Sequence, residues 1–296
     1  MGSIETRLDS LASSDASLAY ERDGDGALWV ADAQYLTPGQ LAERLRQWEA
    51  ELPSRGELLA SRRRHDVYRL DTSELGPLVL KYTNPGKTKR RSAVAPWLLG
   101  YRLAGALPGA VPEPIGAVDT YGPEGEVSSA CLVMRYQPGT DLAEPDADGE
   151  LDHALAARVG RFLARMHETG VYLKDCRMTN LRACAEANPG DPGGVEGLTV
   201  PDLEALASGT PGRFQGVRLL LKLRLGRRDL AAVRAAYEAQ LGAGLRWHER
   251  LLLWGVYVPA RRLRGLLVRY YRRQVRPRLF ASARDPAGVR RPRRSE

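Results

Sequence analysis

Between Met166 and Leu181 the chain reads Met-His-Glu-Thr-Gly-Val-Tyr-Leu-Lys-Asp-Cys-Arg-Met-Thr-Asn-Leu: an apolar helical pattern ends, the chain turns at Gly170, and a loop carries Asp175 and Asn180. Asp-x-x-x-x-Asn is the spacing of a phosphoryl-transfer loop, in which the carboxylate takes the proton of an attacking hydroxyl and the Asn holds Mg²⁺. That chemistry is mostly positioning and charge neutralisation, so it needs further parts: a cation on the phosphates and a second metal ligand. Lys81, behind the apolar run Leu78-Val79-Leu80, has the setting of a phosphate-binding lysine. Asp202, 27 residues after Asp175 and behind Leu198-Thr199-Val200, has the setting of a metal-binding aspartate. Each residue also has a plainer use: a strand-end surface lysine, a helix-capping Asp202, a turn carboxylate, a loop-closing amide. The four gain meaning from their order along the chain.

Those residues need elements to position them. Thr37-Pro38-Gly39-Gln40 opens a helix, with Thr37 as cap, Pro38 at the first position and Gln40 placed for a capping box; its expected stop is before Pro53. Residues 1 to about 35 are expected to be loosely ordered at first, with a short strand at Ala27-Leu28-Trp29-Val30. Asp66–Leu70 and Leu78–Tyr82 read as strands, Ser92–Leu107 as a helix, and Ile115–Val118 and Ala130–Tyr136 as further strands. Beyond an acidic linker, Asp141–Glu150, the residues Leu155, Val159, Phe162, Leu163 and Met166 recur at helical spacing. After a Gly/Pro-rich insertion at Asn188–Gly197, helices are expected up to an Arg/Pro-rich tail past Asp285. Strands with one helix, then a linker, then helices make an α+β chain. No repeats are found, and Leu251–Tyr271 is interrupted by Arg261, Arg262, Arg264 and Arg269, so no membrane span is expected.

A chain of 296 residues with 43% apolar and 27% charged residues has the composition of a soluble globular protein with a sizeable core. Cys131, Cys176 and Cys184 have no CxxC spacing, which argues against a disulfide framework or a zinc site and for a reducing cytosol. Met-Gly-Ser-Ile-Glu-Thr lacks the pattern of a secretory signal, though it fits a short myristoylation motif. The net charge of +8 is uneven: from Arg213 to Glu296 there are 22 Lys and Arg against 5 Asp and Glu, and the rest of the chain is net acidic. An acidic body with a basic C-terminal portion suits an anionic partner.

On Val79-Leu80-Lys81, Ser92 through Trp97 to Leu103, Val111-Pro112-Glu113-Pro114-Ile115, Leu132-Val133-Met134, Leu163–Gly170, Lys174-Asp175 to Asn180, Val200-Pro201-Asp202-Leu203 and Arg228-Asp229-Leu230, the chain resembles the lipopolysaccharide kinase (Kdo/WaaP-type) family of the protein-kinase-like superfamily. The resemblance covers about residues 62 to 235. It implies a two-lobe protein-kinase-like fold with a small, mainly-β N-lobe and a larger helical C-lobe. Residues 1–60 would form an extension with one helix, 61–140 the N-lobe, 141–245 the C-lobe and 246–296 a basic helix and tail, with Tyr136–Asp141 as the hinge. It further implies an enzyme that uses ATP and Mg²⁺ to phosphorylate a sugar of the lipopolysaccharide core at the cytoplasmic face. In that reading Asp175 is the base, Asn180 and Asp202 hold Mg²⁺, and Lys81, Arg63, Arg64 and Met134 hold the nucleotide.

Three departures stand out. Ser61-Arg62-Arg63-Arg64-His65 replaces a glycine-rich loop, no Glu lies between Lys81 and Leu107 to pair with the lysine, and Leu173 replaces the loop histidine. Lys81 is therefore expected to be positioned differently, by Asp202 itself. His167, on the inward side of its helix, reads as a packed core residue holding loop backbone. Arginines interleaved with Trp247, Leu251, Leu252, Trp254, Tyr257, Tyr270 and Tyr271 suit an anionic membrane or phosphorylated glycolipid, or else a packed helix with solvated arginines. Nucleic acid is set aside, because no reading motif accompanies the charge. A protein or small-molecule kinase, and a pseudokinase-like binding protein, are the alternatives.

Overall fold

The computed structural model describes residues 4–62, 65–83, 92–142, 152–184 and 197–242, with single positions and one short helix between 244 and 263. The chain divides into two units, residues 1–244 and 245–296. In the first unit α1 (Ile4–Ala12), β1 (Leu18–Arg22), β2 (Leu28–Asp32) and α2 (Pro38–Arg55) precede β3 (Glu57–Ser61), β4 (His65–Thr72) and β5 (Gly76–Thr83). Then come α3 (Val94–Ala106), β6 (Pro114–Tyr121) and β7 (Val127–Arg135). The strands form one antiparallel sheet in the order β1-β2-β6-β7-β5-β4-β3.

The first 35 residues are more ordered than their composition suggested. α1 buries Leu8, and β1 and β2 pair with each other and, through β2, with β6. The turn between β1 and β2 is set by Asp23, whose carboxylate accepts from Ala27 N and Asp25 N and from the Trp29 indole at 2.8 Å. The expectation of one helix before residue 60 is corrected to two.

α2 starts as its sequence dictates, with Thr37 and Gln40 closing a capping box. It runs past Pro53 to Arg55, which corrects the expected stop. Pro53 lies in the last turn, where it removes one hydrogen bond near the helix end, and the next turn still closes through Gly56 N to Leu52 O at 2.9 Å. Leu41, Leu45 and Trp48 of α2 pack on Leu70, Leu78, Leu80, Ile115, Cys131 and Val133 of the sheet. Residues directly opposite in antiparallel strands share a face. The pairs Lys81↔Leu132 and Val79↔Met134 therefore lie on the other face, away from α2.

The rest of the unit is helical around two small sheets: β8 (Thr140–Asp141), α4 (His153–Glu168), β9 (Val171–Leu173), β10 (Arg182–Ala183), β11 (Leu198–Thr199), β12 (Leu206–Ser208), α5 (Arg213–Leu220) and α6 (Arg227–Gln240). The strands pair as β11-β10-β8 and β12-β9. Asp152 caps α4 through Ala154 N at 3.2 Å. α4 and α6 pack tightly because Gly160 has no side chain: a Cβ there would run into the Val233 carbonyl oxygen. A small mainly-β lobe followed by a helical lobe is the α+β, two-lobe protein-kinase-like plan. In the second unit α7 (Trp247–Leu251) is a single described helix, capped at Arg246 N by Glu249 at 2.7 Å. Among the described residues no helix is long and apolar enough to cross a membrane.

Candidate active site

The loop with Asp175 is held by what it buries. Leu173, Cys176, Met178 and Leu181 are all buried, while Asp175 and Arg177 between them stay partly exposed. β9 leads into the loop paired with β12, and Lys174 N donates to Ala205 O at 2.9 Å. β10 leaves it between β8 and β11, with Leu142 N donating to Leu181 O at 2.9 Å. Within the loop, the Asn180 side-chain amide donates to the Asp175 carbonyl at 2.7 Å. Arg177 Nε lies 3.1 Å from Asp175 Oδ1. The Asp175 carboxylate is thus half exposed, next to a fixed cation and tied through its backbone to Asn180. Cys176 is no nucleophile: burial pushes its thiol up to about 12.

Lys81 reaches the Asp202 segment. Its Nζ lies 2.7 Å from Asp202 Oδ1 and 3.2 Å from Glu204 Oε1, and the lysine side chain is only 8% exposed. Burial works to raise the Asp202 carboxyl, but the Lys81 charge and hydrogen bond, the Glu204 N–H and the charge of His65 outweigh it and hold Asp202 below the usual carboxylate range. Asp202 also caps the short 3₁₀ turn Leu203–Ala205 by accepting from Glu204 N at 3.2 Å. The cap use and the ion pair with Lys81 thus coexist in one side chain. α3 supports the segment from behind: a Cβ on Gly100 would come within 2.6 Å of Leu203 Cδ1, so the glycine is what lets the helix approach.

The structure brings Lys81 and Asp202 together, and Asp175 and Asn180 together. Met134 is buried on the sheet face that carries Lys81. Arg63 and Arg64 lie outside the described residues; of the residues flanking them, Arg62 N donates to His65 O at 2.9 Å. His167 is buried as expected, but its partner is the Tyr237 hydroxyl, 2.6 Å from Nδ1, rather than loop backbone, and burial lowers its pKa to about 4. At the expected hinge, Tyr136 N donates to Pro77 O at 2.8 Å and the Arg69 guanidinium sits over the Tyr136 ring. The Gln137 side chain accepts from Thr199 at 3.0 Å.

Two residues of the cluster escaped the sequence reading. Arg177 sits two positions beyond Asp175, and a basic residue so near a candidate base was a readable signal. Glu204 had none: it lies 123 positions from Lys81, and only folding reveals it as a second acid on the lysine. As to metals, Asp202 and Asn180 offer hard oxygen donors, the type Mg²⁺ takes. In phosphotransfer sites one or two carboxylates suffice, with phosphates and waters completing the shell. The donor set therefore fits Mg²⁺.

Comparison with known proteins finds one family: the model of the phosphotransferase enzyme family, APH, matches residues 55–286. No curated protein matches the chain. Solved structures that resemble it include WaaP in complex with acyl carrier protein, at 20% identity and TM-score 0.48, covering 74% of this chain and 90% of that one. The amicoumacin kinase hAmiN, in complex with AMP-PNP, Ca²⁺ and Ami, aligns at 12% identity and TM-score 0.45 over 69% of this chain and 79% of its own. APH(2")-IIia, in a GDP and kanamycin complex, aligns at 12% identity and TM-score 0.42 over 65% and 82%.

Proposed function

The chain belongs to the phosphotransferase enzyme family, and from that premise we propose that it is an ATP-dependent kinase whose acceptor is a sugar hydroxyl of a membrane glycolipid of the lipopolysaccharide-core type. The observation that carries the kinase reading is the ion pair of Lys81 with Asp202 at 2.7 Å, which sets a phosphate-binding cation beside a metal-binding carboxylate. Asp175 is the base: its half-exposed carboxylate accepts the hydroxyl proton as the oxygen attacks the γ-phosphate. Arg177 stands beside that carboxylate and offers positive charge to the transferring phosphoryl group. Asn180 holds the loop through the Asp175 carbonyl, and with Asp202 it would hold Mg²⁺. When bound, the metal neutralises charge on the phosphates. Lys81 takes the nucleotide phosphates, and Met134 lines the sheet face toward the nucleotide.

The acceptor reading is supported by the motif resemblance and by the basic C-terminal portion, which suits an anionic lipid surface at the cytoplasmic face. The test is incubation with Mg²⁺, γ-labelled ATP, extracted lipopolysaccharide and cell protein, beside Asp175→Asn. Label should enter the glycolipid with wild type and fall by about 10²- to 10⁴-fold in the variant. Label entering protein instead would make this a protein kinase. No label and no ATP binding would leave a scaffold.

A further inference from the structure

Lys81 is held by two acids where one would neutralise it. The two differ in what they face: the Asp202 side chain is 42% exposed and the Glu204 side chain 15%. The exposed acid is the one a metal can reach, and the shielded one stays with the protein. From Tyr82 to Pro112 the chain contains no Asp or Glu, so neither α3 nor the segment before it can supply the lysine's usual partner. Glu113, the next acid, is engaged elsewhere, by Arg135 at 2.6 Å and by the Tyr35 hydroxyl. α3 contributes packing instead, through Gly100 against Leu203, between the two acids. On the far side, His65 Nδ1, at the start of β4, lies 3.4 Å from the same Glu204 Oε1 that faces Lys81.

Building on the kinase reading above, we infer that Glu204 is the permanent counter-ion of Lys81 and thereby a positioning residue for catalysis. It keeps the lysine in place when Asp202 turns from Lys81 to a metal on the nucleotide phosphates. His65 steadies Glu204 from the start of β4, so one carboxylate ties β4 as well as Lys81 to the metal-binding segment. The lysine's anchor then travels with Asp202, two residues away, rather than with α3.

Removing Glu204 should leave Asp202 as the lysine's one acidic partner among the described residues and set Lys81 against the metal. ATP affinity is therefore measured with and without Mg²⁺, by calorimetry, in wild type, Glu204→Gln, Lys81→Met and the double variant. In wild type Mg²⁺ should strengthen ATP binding. In Glu204→Gln that enhancement should shrink by about tenfold, and in the double variant it should return, because nothing competes for Asp202; such non-additivity marks residues that act through one another. A merely structural Glu204 would not produce that recovery. An unchanged enhancement in Glu204→Gln overturns the inference. An enhancement that stays lost in the double variant also overturns it, since Glu204 would then serve the metal or the fold. If thermal unfolding shows Glu204→Gln to be unfolded, Glu204→Asp, which keeps the charge and shortens the reach, carries the same cycle with a smaller expected loss. A wild type that binds no ATP under either condition refutes the kinase reading itself, which is a different result from a wild type that binds and a variant that does not differ.

Discussion

Charge at the candidate site is arranged in two pairs, Asp175 with Arg177 and Asp202 with Lys81, each within 3.1 Å. In the proposed function, these side chains would meet a multiply charged substrate already held in place, which reduces reorganisation on binding. Behind the loop His167 plays a different part. It is buried against Tyr237 and Tyr172 and neutral, with its pKa lowered to about 4 from 6.5 by burial. Below pH 6.5 the unfolded chain takes up a proton that the folded chain refuses, so stability falls as pH drops through this window. The full span corresponds to about 3 kcal/mol. In urea titrations between pH 7 and 4, His167→Gln should show a shallower loss than wild type. Parallel curves would mean that His167 is charged in the folded state.

At the scale of elements, α3 comes close to the Asp202 segment at a small residue, Gly100. Gly100→Val places branched carbons where Leu203 now packs, within 2.6 Å of Cδ1 even at Cβ. The expected cost is about 1–3 kcal/mol of stability from overpacking. Activity should fall by more than the stability loss accounts for, because Leu203 lies between Asp202 and Glu204. Gly105, on the same helix, has nothing within 4 Å of its Cβ position. Gly105→Ala should therefore stabilise by about 0.4–1 kcal/mol and leave kcat/KM unchanged. Urea unfolding with kinase assays on both variants checks this; equal effects would show that α3 bears on the site only through overall stability. Asp119 of β6 anchors the other end of α3 by accepting from Ala93 N at 2.6 Å, beside the Ser92 hydroxyl, which accepts from Ala95 N at 3.0 Å.

Over the whole molecule the dominant feature is charge separation: 22 basic against 5 acidic residues from Arg213 onward, on a chain whose total is +8. If that portion meets an anionic lipid surface, the full chain should co-sediment with vesicles containing phosphatidylglycerol and not with neutral phosphatidylcholine. Raising salt from 0.1 to 0.5 M should release it, since the Debye length shortens from about 10 Å to under 5 Å. Replacing Arg261, Arg262 and Arg264 together by Glu should weaken vesicle binding by about 1 kcal/mol or more per position. ATP affinity should be unaffected. Salt-independent binding, or equal binding to neutral vesicles, would point to apolar insertion instead.

The sequence alone determined the strand-then-helix order, the capping box of α2, the turn at Gly170 and the order of four candidate residues, Lys81, Asp175, Asn180 and Asp202. Each of these is written in a few neighbouring positions: cap and N3, apolar spacing, a glycine after a helix, Asp and Asn five apart. The short strands β8 to β12 were not legible, because two or three residues carry no periodicity and exist only through partners far along the chain. Nor was the role of the first 35 residues, whose β1 and β2 are stabilised by joining a sheet edge. Glu204 is the sharpest case. Its neighbours in sequence mark it as an ordinary acid after a cap, and what makes it special is a lysine from β5, brought within 3.2 Å when the chain folds. Local chemistry is encoded locally, but which acid neutralises which base is decided by the packing that buries them together.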